Sequence, residues 1–360
     1  MVVTRPWRLP RWTEVRELHT GRCGRVVLAW PAYESGDGDG ASAGSPAVPR
    51  VTGAGHGPER PAVVRYVPAR PLIHRPREAA FRADVRRLAG LRIPEAAVPY
   101  RFVQAPAFRT AYERSAVAAG GALISDAVEG VTLARLLERH GALSGPASAV
   151  LFRAVLRALA AAHERGTAHG DLRPGKVLVG ADGTVTVTGL GLAALTTGAP
   201  ELRAPELWQG TGDATHQADV YAAACVLYRC LTGRPPFPVP QLFSLMARHT
   251  TAPVPLTGIP RPLRELLAAG LTKDPEPRPR AAALLAEMRR SAKSDWEETG
   301  RAELGALAAP MVEPLPRTPP RTPPAPRPPL RPTRPARTAR PTAALGPPPR
   351  RKVPYAKESG

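Results

Sequence analysis

Residues 169–176, His-Gly-Asp-Leu-Arg-Pro-Gly-Lys, hold a carboxylate, Asp171, beside two cations, Arg173 and Lys176, on a polar loop. The loop follows an apolar helical stretch that ends at Gly166. It precedes two β-branched runs, 177–179 and 184–188, separated by Ala181-Asp182-Gly183. Asp-Gly between two such runs predicts a hairpin. A loop held between a helix and a hairpin fixes an acid such as Asp171 in the geometry that proton transfer needs. The same acid can instead do no more than brace the loop through hydrogen bonds. An ammonium such as that of Lys176 offers three donors to a phosphate and repels a divalent cation.

This stretch resembles the catalytic and metal-binding loops of Hanks-type protein kinases. Residues 169–176 lie on that family's H-R-D-L-K-P-x-N, and Gly189-Leu190-Gly191 lies on its D-F-G. The resemblance implies a general base at Asp171, a phosphate-directed cation at Arg173 and an adenine floor at Leu178. The two residues that hold magnesium in the family, Asn and Asp, are here Lys176 and Gly189, so neither metal position carries its oxygen donor. Gly170 replaces the Arg that contacts a phosphorylated activation loop, which argues against activation by that route.

The resemblance extends in both directions. Residues 16–30 read as strand, glycine turn and strand, similar to the glycine-rich loop, with His19, Gly21, Gly24 and Val26 on G-x-G-x-x-G-x-V. Val63 and Arg65 lie on the Ala and Lys of V-A-I-K. Asp84 lies on the helix-C glutamate, in a segment with Phe81, Val85 and Leu88 at helical spacing. An Arg65–Asp84 pair exchanges the family's Lys–Glu strut for a longer cation and a shorter anion; the competing reading is a weak surface pair. Ser125 takes the gatekeeper place, and the hinge at Asp126 and Val128 is implied to face an adenine edge. Downstream, Ala204-Pro205-Glu206 lies on A-P-E, with Arg278 as the implied partner of Glu206. Asp219 is implied to accept from the catalytic-loop backbone, and His169, Leu190 and Leu88 to form an apolar spine.

The resemblance implies an α+β, bilobal, protein-kinase-like fold, with a β-rich N-lobe carrying one main helix and an α-helical C-lobe. Expected boundaries are a basic extension over 1–13, the domain over 14–298 with a flexible insertion at 32–59, and a disordered tail over 299–360. Ser144 and Pro146 suit the start of a long helix in which Leu151, Val155 and Leu159 oppose Arg153 and Arg157.

Of the last 50 residues 16 are proline, a composition that favours polyproline II conformation over a packed core. The same 50 carry eleven Lys or Arg against two Glu, a large share of the net charge of +20. Such a tail reads first as a passive linker; the competing reading is a ligand for an SH3-like or acidic protein partner, and its charge binds nucleic acid non-specifically at low salt. Three cysteines, Cys23, Cys225 and Cys230, make no disulfide framework, and no uninterrupted 18-residue apolar run occurs. A cytoplasmic protein without a membrane span is expected.

For function, the pattern implies a pseudokinase acting on protein partners as a scaffold or regulator, with weak or metal-independent nucleotide binding. ATP is the implied ligand, and Lys176 and Gly189 argue against magnesium. The first alternative is an active, atypical Ser/Thr kinase moving the ATP γ-phosphate with Asp171 as base. The second is polyanion binding through the tail.

Overall fold

The run Val26-Val27-Leu28-Ala29-Trp30 has no polar member, and all five residues are buried in the strand they form. The computed structural model describes residues 7–21, 24–32, 60–72, 74–105, 120–196, 198–210, 215–291 and 295–319. Residues 33–59 of the expected insertion, Cys23 and the chain beyond 319 lie outside the described residues. The N-lobe elements are β1 (Trp12–Gly21), β2 (Gly24–Pro31), β3 (Ala62–Val67), α1 (Ala69–Leu72), α2 (Arg75–Leu88), β4 (Ala96–Ala97), β5 (Pro99–Gln104) and β6 (Gly121–Asp126). Five of the strands form an antiparallel sheet in the order β1-β2-β3-β6-β5.

Gly24 opens β2 at φ +95°, and a Cβ there would lie 1.8 Å from the Tyr66 carbonyl oxygen, so no side chain fits. Phe81 of α2 is fully buried and meets Phe102 edge-on, with ring centroids 4.9 Å apart, which seats the helix on the sheet.

The C-lobe continues with β7 (Val131–Thr132), α3 (Leu133–His140), α4 (Gly145–Glu164), β8 (Val177–Val179), β9 (Val185–Thr188), α5 (Glu206–Gln209), α6 (His216–Thr232), α7 (Leu242–Thr251), α8 (Arg261–Gly270), α9 (Ala281–Ser291) and α10 (Trp296–Ala308). A second small sheet runs β4-β9-β8-β7. Ser144 Oγ accepts from the Ala147 amide at 3.2 Å and Pro146 sits in the first turn, as the sequence requires of α4. Among the described residues α4 alone is long and apolar enough to cross a membrane; 67% of that stretch is buried inside the domain, where the helix serves as its core.

The packed chain crosses both expected edges. Leu9 is buried under the N-lobe sheet and Trp12 begins β1, so the edge at 13 falls inside a strand. The edge at 298 falls inside α10. That helix lies so close to α4 that a Cβ on Gly300 would stand 2.4 Å from the Pro146 carbonyl oxygen, and Leu304 and Ala308 are fully buried. An ion pair between Arg153 and Glu297 joins the two helices. The glutamates and leucines of 297–308 stand directly before the proline-rich stretch, whose composition hides their helical spacing.

Candidate functional site

A cleft of about 590 Å³ opens between the lobes. Val26, Val63, Arg65, Asp126, Val128 and Leu178 line it, and Arg173, Lys176, Gly189 and Leu190 complete its deeper wall. Gly21 and Gly24 do not form the wall. They pair with each other at the β1–β2 turn, and the His19 ring folds back over Gly21. Burial, then the nearby charges of Lys176, Arg173 and Arg65, hold the His19 imidazole below its usual range. The cleft therefore converges positive charge on one end.

Asp171 stands behind this wall. Its Oδ2 is 3.5 Å from Arg173 Nε and 3.9 Å from Lys176 Nζ. Lys176 is 6% exposed, and its Nζ lies 3.5 Å from where a Cβ on Gly189 would stand. The two positions are thus geometrically matched: the lysine chain fills the space that a side chain at 189 would enter. A carboxylate with two cations against it, facing a glycine, does not fit a divalent cation, which needs several oxygen donors. Among the described residues no cluster of His, Cys, Asp and Glu could hold a metal ion.

The loop carrying Asp171 is braced from below. Asp219, 2% exposed at the start of α6, accepts from the His169 amide at 2.7 Å and the Gly170 amide at 2.8 Å, and His163 Nε2 lies 2.9 Å from the same carboxylate. His163 in turn stacks on His216 at 4.1 Å. His169 is fully buried, and its Nε2 lies 3.0 Å from the Thr188 carbonyl oxygen of β9. Leu190 packs in one buried cluster with Leu88 of α2. Asp219→Asn keeps one accepting oxygen but turns its NH2 toward one of the two amide donors, and is expected to cost about 2 kcal/mol. Faster hydrogen exchange at the His169 and Gly170 amides, against unchanged exchange in α8, would report it.

The Arg65–Asp84 strut does not form. The Asp84 carboxylate takes Arg87 Nη1 at 3.2 Å on its own helix and Thr167 Oγ1 at 3.3 Å from the C-lobe. An aspartate is one methylene shorter than the family's glutamate, and a cation three residues along the same helix is within its reach. Burial, the largest influence, lifts the Asp84 carboxyl above its usual range despite Arg87 and Thr167. A folded pKa above the unfolded one means stability that is present at low pH and lost as pH rises through the folded value. Asp84→Asn, which keeps the Thr167 bond, is therefore expected to be more stable than wild type at neutral pH, by on the order of 1 kcal/mol. The gain should vanish near about pH 4; urea unfolding at the two pH values checks it.

Far from the cleft, Arg278 is buried and forks onto Glu206, Nη1 to Oε1 at 2.7 Å and Nη2 to Oε2 at 3.1 Å. A sequence profile described as Protein kinase domain matches residues 108–288, half of the chain. This chain belongs to the protein kinase family. Its lobes, the Asp219-braced loop and the Glu206–Arg278 pair are the frame of that family.

The kinase-family chain is similar to curated relatives. It is 32% identical over 208 residues to serine/threonine-protein kinase PknH of Mycobacterium tuberculosis, covering 53% of this chain and 33% of PknH. To PknE of the same organism it is 35% identical over 208 residues, 48% of this chain and 36% of PknE. To serine/threonine-protein kinase PkaA of Streptomyces coelicolor it is 33% identical over 252 residues, 62% of this chain and 46% of PkaA. The chain thus matches between a third and a half of the length of these relatives.

Sequence reasoning missed part of the cleft. Arg16 and Arg135 line it, and so do Met311, Glu313 and Leu315 from the segment after α10. The only sequence signal for the last three is their alternation, apolar, acidic, apolar, inside a stretch otherwise dominated by proline.

Proposed function

We propose that this protein is a kinase-fold regulator whose cleft holds a nucleotide through protein cations, without magnesium, and that it acts on protein partners and not by phosphate transfer. The observation that carries this reading is the Lys176 ammonium, buried 3.9 Å from Asp171 and against the open face of Gly189. Phosphoryl transfer relies on charge neutralised at the phosphates and a nucleophile held in line, and metal ions supply much of the former in the family. Lys176, with Arg173 and Arg65, supplies positive charge for binding, but a monodentate ammonium does not bridge two phosphates as a metal does. Val63 and Leu178, on opposite lobes, offer apolar faces to a base, and the hinge backbone at Asp126 and Val128 offers its edge partners. The free, buried Cys225 and Cys230 support a reducing, cytoplasmic setting.

A second reading, an active Ser/Thr kinase with Asp171 as base, is favoured by one observation: Asp219 still clamps the loop that carries Asp171. Radiolabelled ATP with a protein substrate mixture separates the two readings. The regulator reading predicts no label above background for either wild type or Asp171→Asn. Label that is present in wild type and lost in Asp171→Asn would overturn it.

A further inference from the structure

After α10 the chain does not leave the domain. It turns through Ala309–Met311, where the Val312 amide donates to the Ala308 carbonyl at 3.1 Å, and Met311 and Val312 pack on the C-lobe core. Val312 leaves that turn in an extended conformation, residues 312–316 form no helix, and Met311, Glu313 and Leu315 all border the cleft. That is the period-two face of an extended chain. Two polar tethers hold its far end on different structures. The Leu315 amide donates to Glu129 Oε1 at 2.8 Å, just beyond the hinge residues, and Glu313 pairs with Arg16 on β1.

We infer that residues 309–315 are a strap that gates the cleft in cis, anchored to the C-lobe at one end and latched to hinge and N-lobe at the other. The ligand it gates is the nucleotide of the reading above, on which that part of the inference rests. The anchor is apolar and half-buried, whereas the latch is an exposed pair, with side chains 40% and 69% accessible. Exposed ion pairs contribute little and are screened by salt, so the latch opens readily while the anchor holds. A ligand entering from the hinge side meets Glu313 and Leu315, because both line the cleft beside the hinge residues Asp126 and Val128.

The test reads strap opening separately from ligand binding. Ser125→Cys, on the cleft wall, is placed in full-length protein on a Cys23→Ser background, and its labelling rate with a bulky maleimide is measured. Glu313→Arg, which sets like charges together, is expected to speed labelling about fivefold, the most an exposed ion pair supplies. Leu315→Asp is expected to speed it further, and the reversed pair Arg16→Glu/Glu313→Arg to restore the slow rate. Raising salt should speed wild type, which loses its attraction, and slow Glu313→Arg, which loses its repulsion, so that the two rates converge. Equal labelling rates in wild type, Glu313→Arg and Leu315→Asp would overturn the strap. A fluorescent ATP analogue should then associate faster with the opened variants by a similar factor. Faster labelling with no analogue bound by any variant keeps the strap and removes the nucleotide.

Discussion

Lys176→Met is expected to weaken ATP binding measured in EDTA by about 10- to 100-fold, the range a charge-assisted hydrogen bond supplies. Methionine keeps most of the length and apolar stem, so the packing against Gly189 survives and the loss reports the charge. The companion variant tests the geometry. Gly189→Asp alone brings a Cβ to 3.3 Å from Lys176 Cδ, at φ +91°, and sets a carboxylate beside the ammonium. It should form an internal ion pair and gain no metal. Lys176→Asn together with Gly189→Asp removes the crowding and presents two oxygen donors. Only this double variant is expected to bind ATP better in magnesium than in EDTA. The effects are therefore non-additive, as expected for two positions that share one space. Titration calorimetry of the four proteins in both buffers checks it.

Arg278→Ala is expected to be the most destabilising single change considered, at about 4 kcal/mol. The guanidinium holds Glu206 and also donates to the carbonyl oxygens of Gln217 at 2.8 Å, Thr272 at 2.9 Å and Lys273 at 3.2 Å, and lies 5.1 Å from the Tyr221 ring centre. Removing it strands a carboxylate and three carbonyls together. Against an ordinary total of about 5–15 kcal/mol, a loss of that size leaves a substantial fraction unfolded on warming. Arg278→Lys keeps the charge but not the fork, and should recover less than half of the loss. Glu206→Gln in the wild-type background should cost less than Arg278→Ala, because the carbonyl contacts of Arg278 remain. Urea midpoints, compared at equal slope, rank the three.

The parts of this molecule that could be read in the sequence are those fixed by local chemistry. The Asp182-Gly183 turn makes its hairpin, with Asp182 Oδ1 accepting from the Thr184 amide at 3.0 Å and Gly183 at φ +77°. Ser144 and Pro146 set the start of α4 for the same reason. Single residues in fixed motifs, Glu206 with Arg278 and Asp219 with the loop backbone, also pair as the resemblance to the kinase family implies. What escaped reading depends on rotation and distance. Whether Asp84 faces β3 or Thr167 is decided by how α2 seats on both lobes, which no local pattern encodes. The strap escaped because Leu315 meets Glu129 across 186 residues, and because its composition belongs to the proline-rich stretch that follows it. The resemblance puts Gly21 and Gly24 on the glycine-rich loop; Gly24 is glycine for a nearer reason, the Tyr66 carbonyl beneath it.

The central claim is that Lys176 stands in place of a metal ion, and thermal unfolding of wild-type protein over an ATP titration, in EDTA and in excess magnesium, tests it most directly. The account predicts a ligand-dependent rise in Tm that is the same in both buffers at each ATP concentration, because binding to the folded state alone sets the shift. A rise that appears only when magnesium is present would contradict it.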